Sequence, residues 1–319
     1  MVLRGCIAGC LGALLLPFAA AAQQAPAPDP DDPPAVVRSG VDKADRITIP
    51  IQIAGTGPFD FIIDTGSQRT VISRELADRL ALAPATDVKV LSIAGMSDAR
   101  TVTVPQLSFG SSVMAPVQAP VFAADHLGGA GLLGLDGLHR KRLVLDFRTG
   151  RMQITPSSKS RPAIPPGDHT VVVEGRMKEG QLILMDSNAD KVRVRIMLDT
   201  GSEYSIGNYA LLRALQKRDP GTIVHDTVIT GVTGEEISGQ WGRLRIVRMG
   251  GMTMRNLPVV FADAAPFALL GLQDKPALML GVNALRGFDR VAIDFGRKRV
   301  DFLMPDQSSL AGARFASLD

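Results

Sequence analysis

Cysteine is nearly missing from this 319-residue sequence: Cys6 and Cys10 are the only two, and both fall inside one apolar N-terminal run. With that run removed, disulfides and a thiol nucleophile are both excluded, whatever compartment the protein reaches. An excess of one charge is missing as well, since 35 Lys and Arg face 32 Asp and Glu for a net +3, with the signs interspersed. A balanced surface of this kind gives no polyanion footprint, and no nucleic-acid partner is expected. Histidine is scarce: His126, His139, His169 and His225 stand in unrelated contexts and none belongs to a His-Glu-x-x-His pattern. Neither a metal nor any other cofactor is therefore expected. The glycine-rich Gly128-Gly129-Ala130-Gly131 is not followed by Lys-Ser/Thr, so it reads as a loop rather than a phosphate cradle. Long helical periods are few. What fills the chain instead is short apolar or β-branched runs broken by Gly and Pro, which makes the fold class mostly β.

The N-terminal run has the form of a signal peptide over residues 1–22: Arg4, then an apolar stretch from Gly5, then Ala19-Ala20-Ala21-Ala22. The protein is expected to be exported, to the periplasm in a bacterium or secreted. Retention of this run as a membrane anchor is the competing reading and the one route to a membrane. Ile7-Ala8-Gly9-Cys10 resembles a lipoprotein cleavage box, but the apolar residues follow it instead of preceding it. Residues 23–35, rich in Pro and Asp, read as an extended tether. A first domain is expected over 36–155, a Pro/Ser/Lys-rich linker over 156–168, a second domain over 169–304 and a tail over 305–319.

The two halves repeat each other. In the first, an apolar run at 47–54, a turn at Gly55-Thr56-Gly57 and Phe59-Asp60-Phe61-Ile62-Ile63 lead into Asp64. In the second, an apolar run at 181–185, a turn at Asn188-Ala189-Asp190 and the run 192–198 lead into Asp199. Each is predicted to be a hairpin whose second strand delivers an aspartate. Short helices are predicted over 75–80 and 209–215, N-capped by Ser73 and Asn208. Further on, Leu132-Leu133-Gly134-Leu135-Asp136 matches Met279-Leu280-Gly281-Val282-Asn283, and Leu145-Asp146-Phe147 matches Ile293-Asp294-Phe295. Asp146 and Asp294 are expected to be structural.

At equivalent points of the repeat stands the same string, Asp64-Thr65-Gly66-Ser67 and Asp199-Thr200-Gly201-Ser202. Such a tetrapeptide arises by chance about once in 10⁵ positions, so a matched pair is not accidental. Two carboxyls in contact cannot both ionise and so share one proton, which equips them to deprotonate a water and protonate a carbonyl oxygen. Gly66 and Gly201 allow close approach of the two loops. Thr65 and Thr200 are expected to bond across to the opposite loop, and Ser67 and Ser202 to donate to the outer carboxylate oxygens.

These residues, with Thr70-Val71-Ile72-Ser73 and the apolar-apolar-glycine strings Leu132-Leu133-Gly134 and Met279-Leu280-Gly281, resemble the pepsin and retropepsin superfamily of aspartic peptidases. The resemblance spans roughly residues 47–304. It implies two homologous retropepsin-like β-barrel domains with a cleft between them, and the hydrolysis of peptide bonds in a peptide or protein substrate by an Asp64/Asp199 dyad. The same resemblance implies mobile hairpins, or flaps, over the cleft. The candidates are residues 91–97, with Ile93, Ala94 and Gly95 at the tip, and 230–235, with Gly231, Val232 and Thr233. The sequence departs from the pepsin branch: Tyr204 and Tyr209 are its only tyrosines, and neither lies in the first hairpin. Two retropepsin-type halves in tandem fit better, and they make a monomer the expected state. A dimer pairing halves between chains, and a peptide-binding protein of the same fold without turnover, are the alternatives. Trp241, the lone tryptophan, follows the second hairpin, where it either packs in the barrel or lines the cleft.

Overall fold

Period-two burial organises the first hairpin. Along Ile47–Ile53 the isoleucines at 47, 49, 51 and 53 are buried, and the strand pairs antiparallel with Thr56–Ile63. Phe61, Ile62 and Ile63 are all buried because that strand is covered on both faces: Phe61 and Ile63 join the main core, Ile62 a smaller cluster beneath the first hairpin roof. The computed structural model describes residues 35–42, 46–138, 140–158 and 169–305. The expected signal segment, His139, residues 159–168 of the linker, the tail from 306 and all but the last residue of the tether lie outside the described residues.

The turn closing the first hairpin is Ala54-Gly55, both at positive φ (48° and 79°), and not Gly55-Thr56-Gly57, because Thr56 already pairs with Ile53. The second hairpin, Gln181–Ala189 with Val192–Leu198, also turns at a different place than predicted. Asn188 and Ala189 are held in the ladder by strand neighbours on both sides, so the chain reverses at Asp190-Lys191 (φ 45° and 69°). The Asp190 carboxylate fixes this turn by accepting from the amides of Arg245 at 3.0 Å and Ile246 at 2.8 Å.

Each aspartate-bearing strand then receives a third. Gly131–Leu133 lies parallel to Thr56–Ile63 and antiparallel to Val71–Ser73; Ala277–Leu280 lies likewise between Val192–Leu198 and Ser205–Gly207. The predicted helices form over Arg74–Arg79 and Tyr209–Arg218, with Ser73 accepting from the Leu76 amide and Asn208 from the Leu211 amide.

The halves join through their matching strands. Lys141–Asp146 pairs antiparallel with Arg290–Asp294, flanked by Arg151–Pro156 on one side and Arg299–Leu303 on the other. Ala35–Arg38, which includes the last residue of the expected tether, forms one edge of this platform. Through it a 13-stranded sheet runs across both halves, beside a 10-stranded sheet of the first half, and Leu143, Leu145, Val291, Ile293 and Phe302 fill one core beneath. Asp146 and Asp294 are structural as expected: Asp146 pairs with Arg290 at 2.5 Å across the halves, and buried Asp294 accepts from the Ser157 hydroxyl and the Arg297 amide.

Candidate active site

Asp64 and Asp199 sit just past the ends of buried strands, each held by a backbone bond to the third strand: Asp64 N–H to Leu133 O at 3.0 Å, Asp199 N–H to Leu280 O at 2.9 Å. The loops that follow meet at the centre of the molecule. The Thr65 amide donates to the Thr200 hydroxyl and the Thr200 amide to the Thr65 hydroxyl, both at 3.1 Å. Each hydroxyl in turn donates to the strand beneath the opposite loop, Thr65 to Leu198 O at 3.0 Å and Thr200 to Ile63 O at 2.6 Å. Four bonds thus lock the loops together, and both threonines are fully or almost fully buried. Gly66 and Gly201 meet the requirement for close approach, since a Cβ on either would strike the carboxyl of the opposite aspartate.

This grip sets each carboxyl against the glycine of the opposite loop, Asp199 against Gly66 and Asp64 against Gly201, so the two carboxyls are neighbours. Asp64 Oδ1 also accepts from the amides of Gly66 at 2.8 Å and Ser67 at 2.9 Å, and Asp199 Oδ1 from that of Gly201 at 3.0 Å. Burial raises both above the ordinary carboxylate value. Asp199 is pushed up to about 8, first by burial and then by the negative charge of Asp64. Asp64 is raised by burial too, but the loop amides, the neighbouring Asp199 carboxyl and the cation of Arg46 pull it back. The negative charge of one carboxyl therefore favours a proton on the other, and the pair titrates as a unit.

Ser67 and Ser202 differ from expectation. Their hydroxyls donate to Arg69 O and Tyr204 O, both at 2.7 Å, and so tighten the loops internally instead of donating to the carboxylates. A hydroxyl has one proton, and here it goes to a carbonyl two residues on while loop amides serve the carboxylates.

Both predicted hairpins stand over the two aspartates. Pro84–Leu91 with Met96–Val104 carries the first tip, and His225–Thr230 with Glu236–Met249 the second. The tips cross over: Ile93 packs against the second-half cluster of Met197, Ile206, Phe267 and Met279, while Val232 packs against the first-half cluster of Ile62, Val71, Phe122 and Leu132. They also meet each other, with Ile93 against Gly231 and the Ser92 hydroxyl donating to Glu235 at 3.4 Å. The Ala265 amide donates to Ile93 O at 2.9 Å, tying the first tip to the opposite half. Beneath this roof lies a cleft of about 1420 Å³. Asp64, Gly66, Ser67, Asp199, Gly201, Ser202, Ile93, Gly231 and Val232 border it. Ala94, Gly95 and Thr233 do not border it, and Thr65 and Thr200 are buried below it. Trp241 takes the cleft-lining role, with Arg243 over its ring at 5.5 Å.

Two site residues were not singled out from the sequence. Arg46 and Gln181 each reach the carbonyl of a loop glycine, Gly201 and Gly66 respectively. The available signal was their matching position at the start of the repeated hairpin. His126 was noted only as an isolated histidine, yet its ring occupies the place a Cβ on Gly234 would take. Among the described residues no group of three or more His, Cys, Asp or Glu could hold a metal ion.

A family model described as aspartyl protease matches the chain twice, over residues 49–136 and 185–284, once in each half. No curated protein matches the sequence.

Proposed function

Because this chain belongs to the aspartyl protease family, we propose that it is an aspartic endopeptidase with one intramolecular dyad, Asp64 and Asp199. The observation that carries this reading is the pair of interlocked aspartate loops, each carboxyl lying against the glycine of the opposite loop, at the floor of a cleft roofed by two hairpins. In the first step the ionised carboxyl takes a proton from water as its oxygen bonds to the peptide carbonyl carbon, and the protonated carboxyl gives its proton to the carbonyl oxygen. In the second step the protons return the other way: one reaches the departing nitrogen as the C–N bond breaks, and the starting state is restored. No covalent intermediate forms. An extended peptide enters between dyad and roof, where strand edges offer main-chain hydrogen bonds and alternate side chains meet apolar walls. One chain holds the complete site, so the acting form is a monomer, and its place of action is outside the cytoplasm.

Incubation of the mature protein with a mixed peptide library, followed by mass spectrometry, tests the reading. Cleavage is expected from the wild type and from neither Asp64→Asn nor Asp199→Asn. Tight peptide binding without products over days and across pH would replace this reading with a binding protein.

A further inference from the structure

The two aspartate loops have the same sequence and the same grip, but what backs each loop differs. Gly66 O accepts from the neutral Gln181 amide at 2.8 Å; Gly201 O accepts from the Arg46 guanidinium at 3.3 Å. Arg46 precedes the Ile47–Ile53 strand and Gln181 opens the Gln181–Ala189 strand, so both stand at the start of their half's hairpin and both reach into the other half's loop. Gly201 packs on the Asp64 carboxyl and Gly66 on the Asp199 carboxyl. The cation is therefore one residue removed from Asp64, and the neutral amide one residue removed from Asp199.

Arg46 is held firmly. Its Nε donates to Asp42 Oδ2 at 2.8 Å, its Nη2 to Leu127 O at 2.6 Å, and its side chain is 12% exposed. Asp42 partly offsets the charge, and the guanidinium bonds the loop directly. The other charged or titratable groups along the cleft are Arg69, Glu203 and Tyr204 on and beside the loops, Lys89 and Arg243 on the hairpin strands, His126 on the short helix Ala124–Leu127, and Arg286 and Asp289 beyond the second-half site. The first two are of opposite sign on opposite loops.

We propose that Arg46 is a positioning residue that breaks the symmetry of the dyad: it favours ionised Asp64 and leaves the shared proton on Asp199. Asp64 then takes the water proton, and Asp199 protonates the carbonyl oxygen. In the return step Asp64 delivers its proton to the leaving nitrogen, and Asp199 recovers one from the tetrahedral hydroxyl. The influence of Arg46 on Asp64, set against that of Asp64 on Asp199, has the same sense.

The assignment rests on the dyad reading above, and its test keeps the two apart. The pH dependence of kcat/KM is measured with the library peptide that the wild type cleaves fastest, for wild type, Asp42→Asn/Arg46→Gln, Arg46→Lys and Gln181→Lys. The double variant removes the cation without stranding Asp42. Its acid limb is expected to rise by about half to one pH unit, a roughly three- to tenfold loss on that limb with the plateau little changed. Arg46→Lys is expected to keep the wild-type limb, and Gln181→Lys, which places a cation behind Asp199, to lower the basic limb. An equal loss at all pH values, not restored by lysine, would reduce Arg46 to a structural part and overturn the proposal. Should the double variant fail to fold by circular dichroism, an unmoved basic limb in Gln181→Lys overturns it instead. A wild type that cleaves nothing removes the dyad reading itself, and this assignment with it.

Discussion

The two halves are alike where they touch each other's aspartate and unlike in what surrounds that contact. Asp64-Thr65-Gly66-Ser67 and Asp199-Thr200-Gly201-Ser202 make matching bonds within about the same distances, 3.1 Å for both amide-to-threonine contacts. Around them, Arg46 backs the second loop where Gln181 backs the first, and Trp241 and Arg243 of the second half border the cleft. The difference is instructive: two carboxyls brought together share a proton whatever surrounds them, whereas which of the two holds it is set by surroundings that are unequal.

The sharpest way to break the comparison is at the aspartates. If the loops are functional equals, Asp64→Asn and Asp199→Asn each lower kcat/KM by about 10³-fold or more in peptide-cleavage assays. Near-normal activity in either variant would mean that the halves work separately. The next largest effect follows pH. With Asp199 pushed up to about 8, the active single-proton form is lost as pH rises through that value, and kcat/KM is expected to fall tenfold per unit above it. Stability has the same sign. A carboxyl whose folded value is raised contributes fully below its unfolded value of about 3.9, and that contribution is lost as pH climbs toward 8. Thermal melts at several pH values are therefore expected to show a shallower decline for Asp199→Asn than for wild type between these limits.

Smaller effects sharpen the comparison. Thr65→Val and Thr200→Val each remove a hydroxyl that donates once and accepts once in a buried setting, so each is expected to cost about 1–3 kcal/mol in urea unfolding, and by similar amounts. At the roof, Ile93→Ser withdraws an apolar tip from the opposite half, at a cost of about 1 kcal/mol in closure. Faster hydrogen exchange in residues 84–104 and a several-fold higher KM are the expected readouts. Val232→Ser should do the same for the second hairpin, and a silent Val232 variant would leave the first hairpin as the working lid. Least is expected from Arg290→Ala: its pair with Asp146 joins the halves but is partly open to solvent, so the loss is about 0–1 kcal/mol.

Sequence alone reached the aspartates, the threonine grip, the glycine contacts and the caps at Ser73 and Asn208, because each depends on local chemistry repeated at matching positions. It misplaced both hairpin turns. At Asp190-Lys191 the reason is tertiary: Asn188 and Ala189 look like turn residues, but neighbouring strands on either side hold them in the ladder. It also misjudged the serine hydroxyls, since their choice between carboxylate and carbonyl depends on which loop amides reach the carboxylate first.

What the sequence determined is therefore the repeat: two β halves, each carrying an aspartate, a cross-bonding threonine and a glycine small enough for contact. What only the tertiary structure decided is how the halves meet. Equivalent strands at 141–146 and 290–294 pair with each other, each roof tip docks in the opposite half, and Arg46 and Gln181 reach past their own loops. The physical reason is range. Periodicity, caps and close-contact glycines are read within a few residues of chain, while the environments of Asp64 and Asp199 are set by groups that reach them only across the interface between the halves.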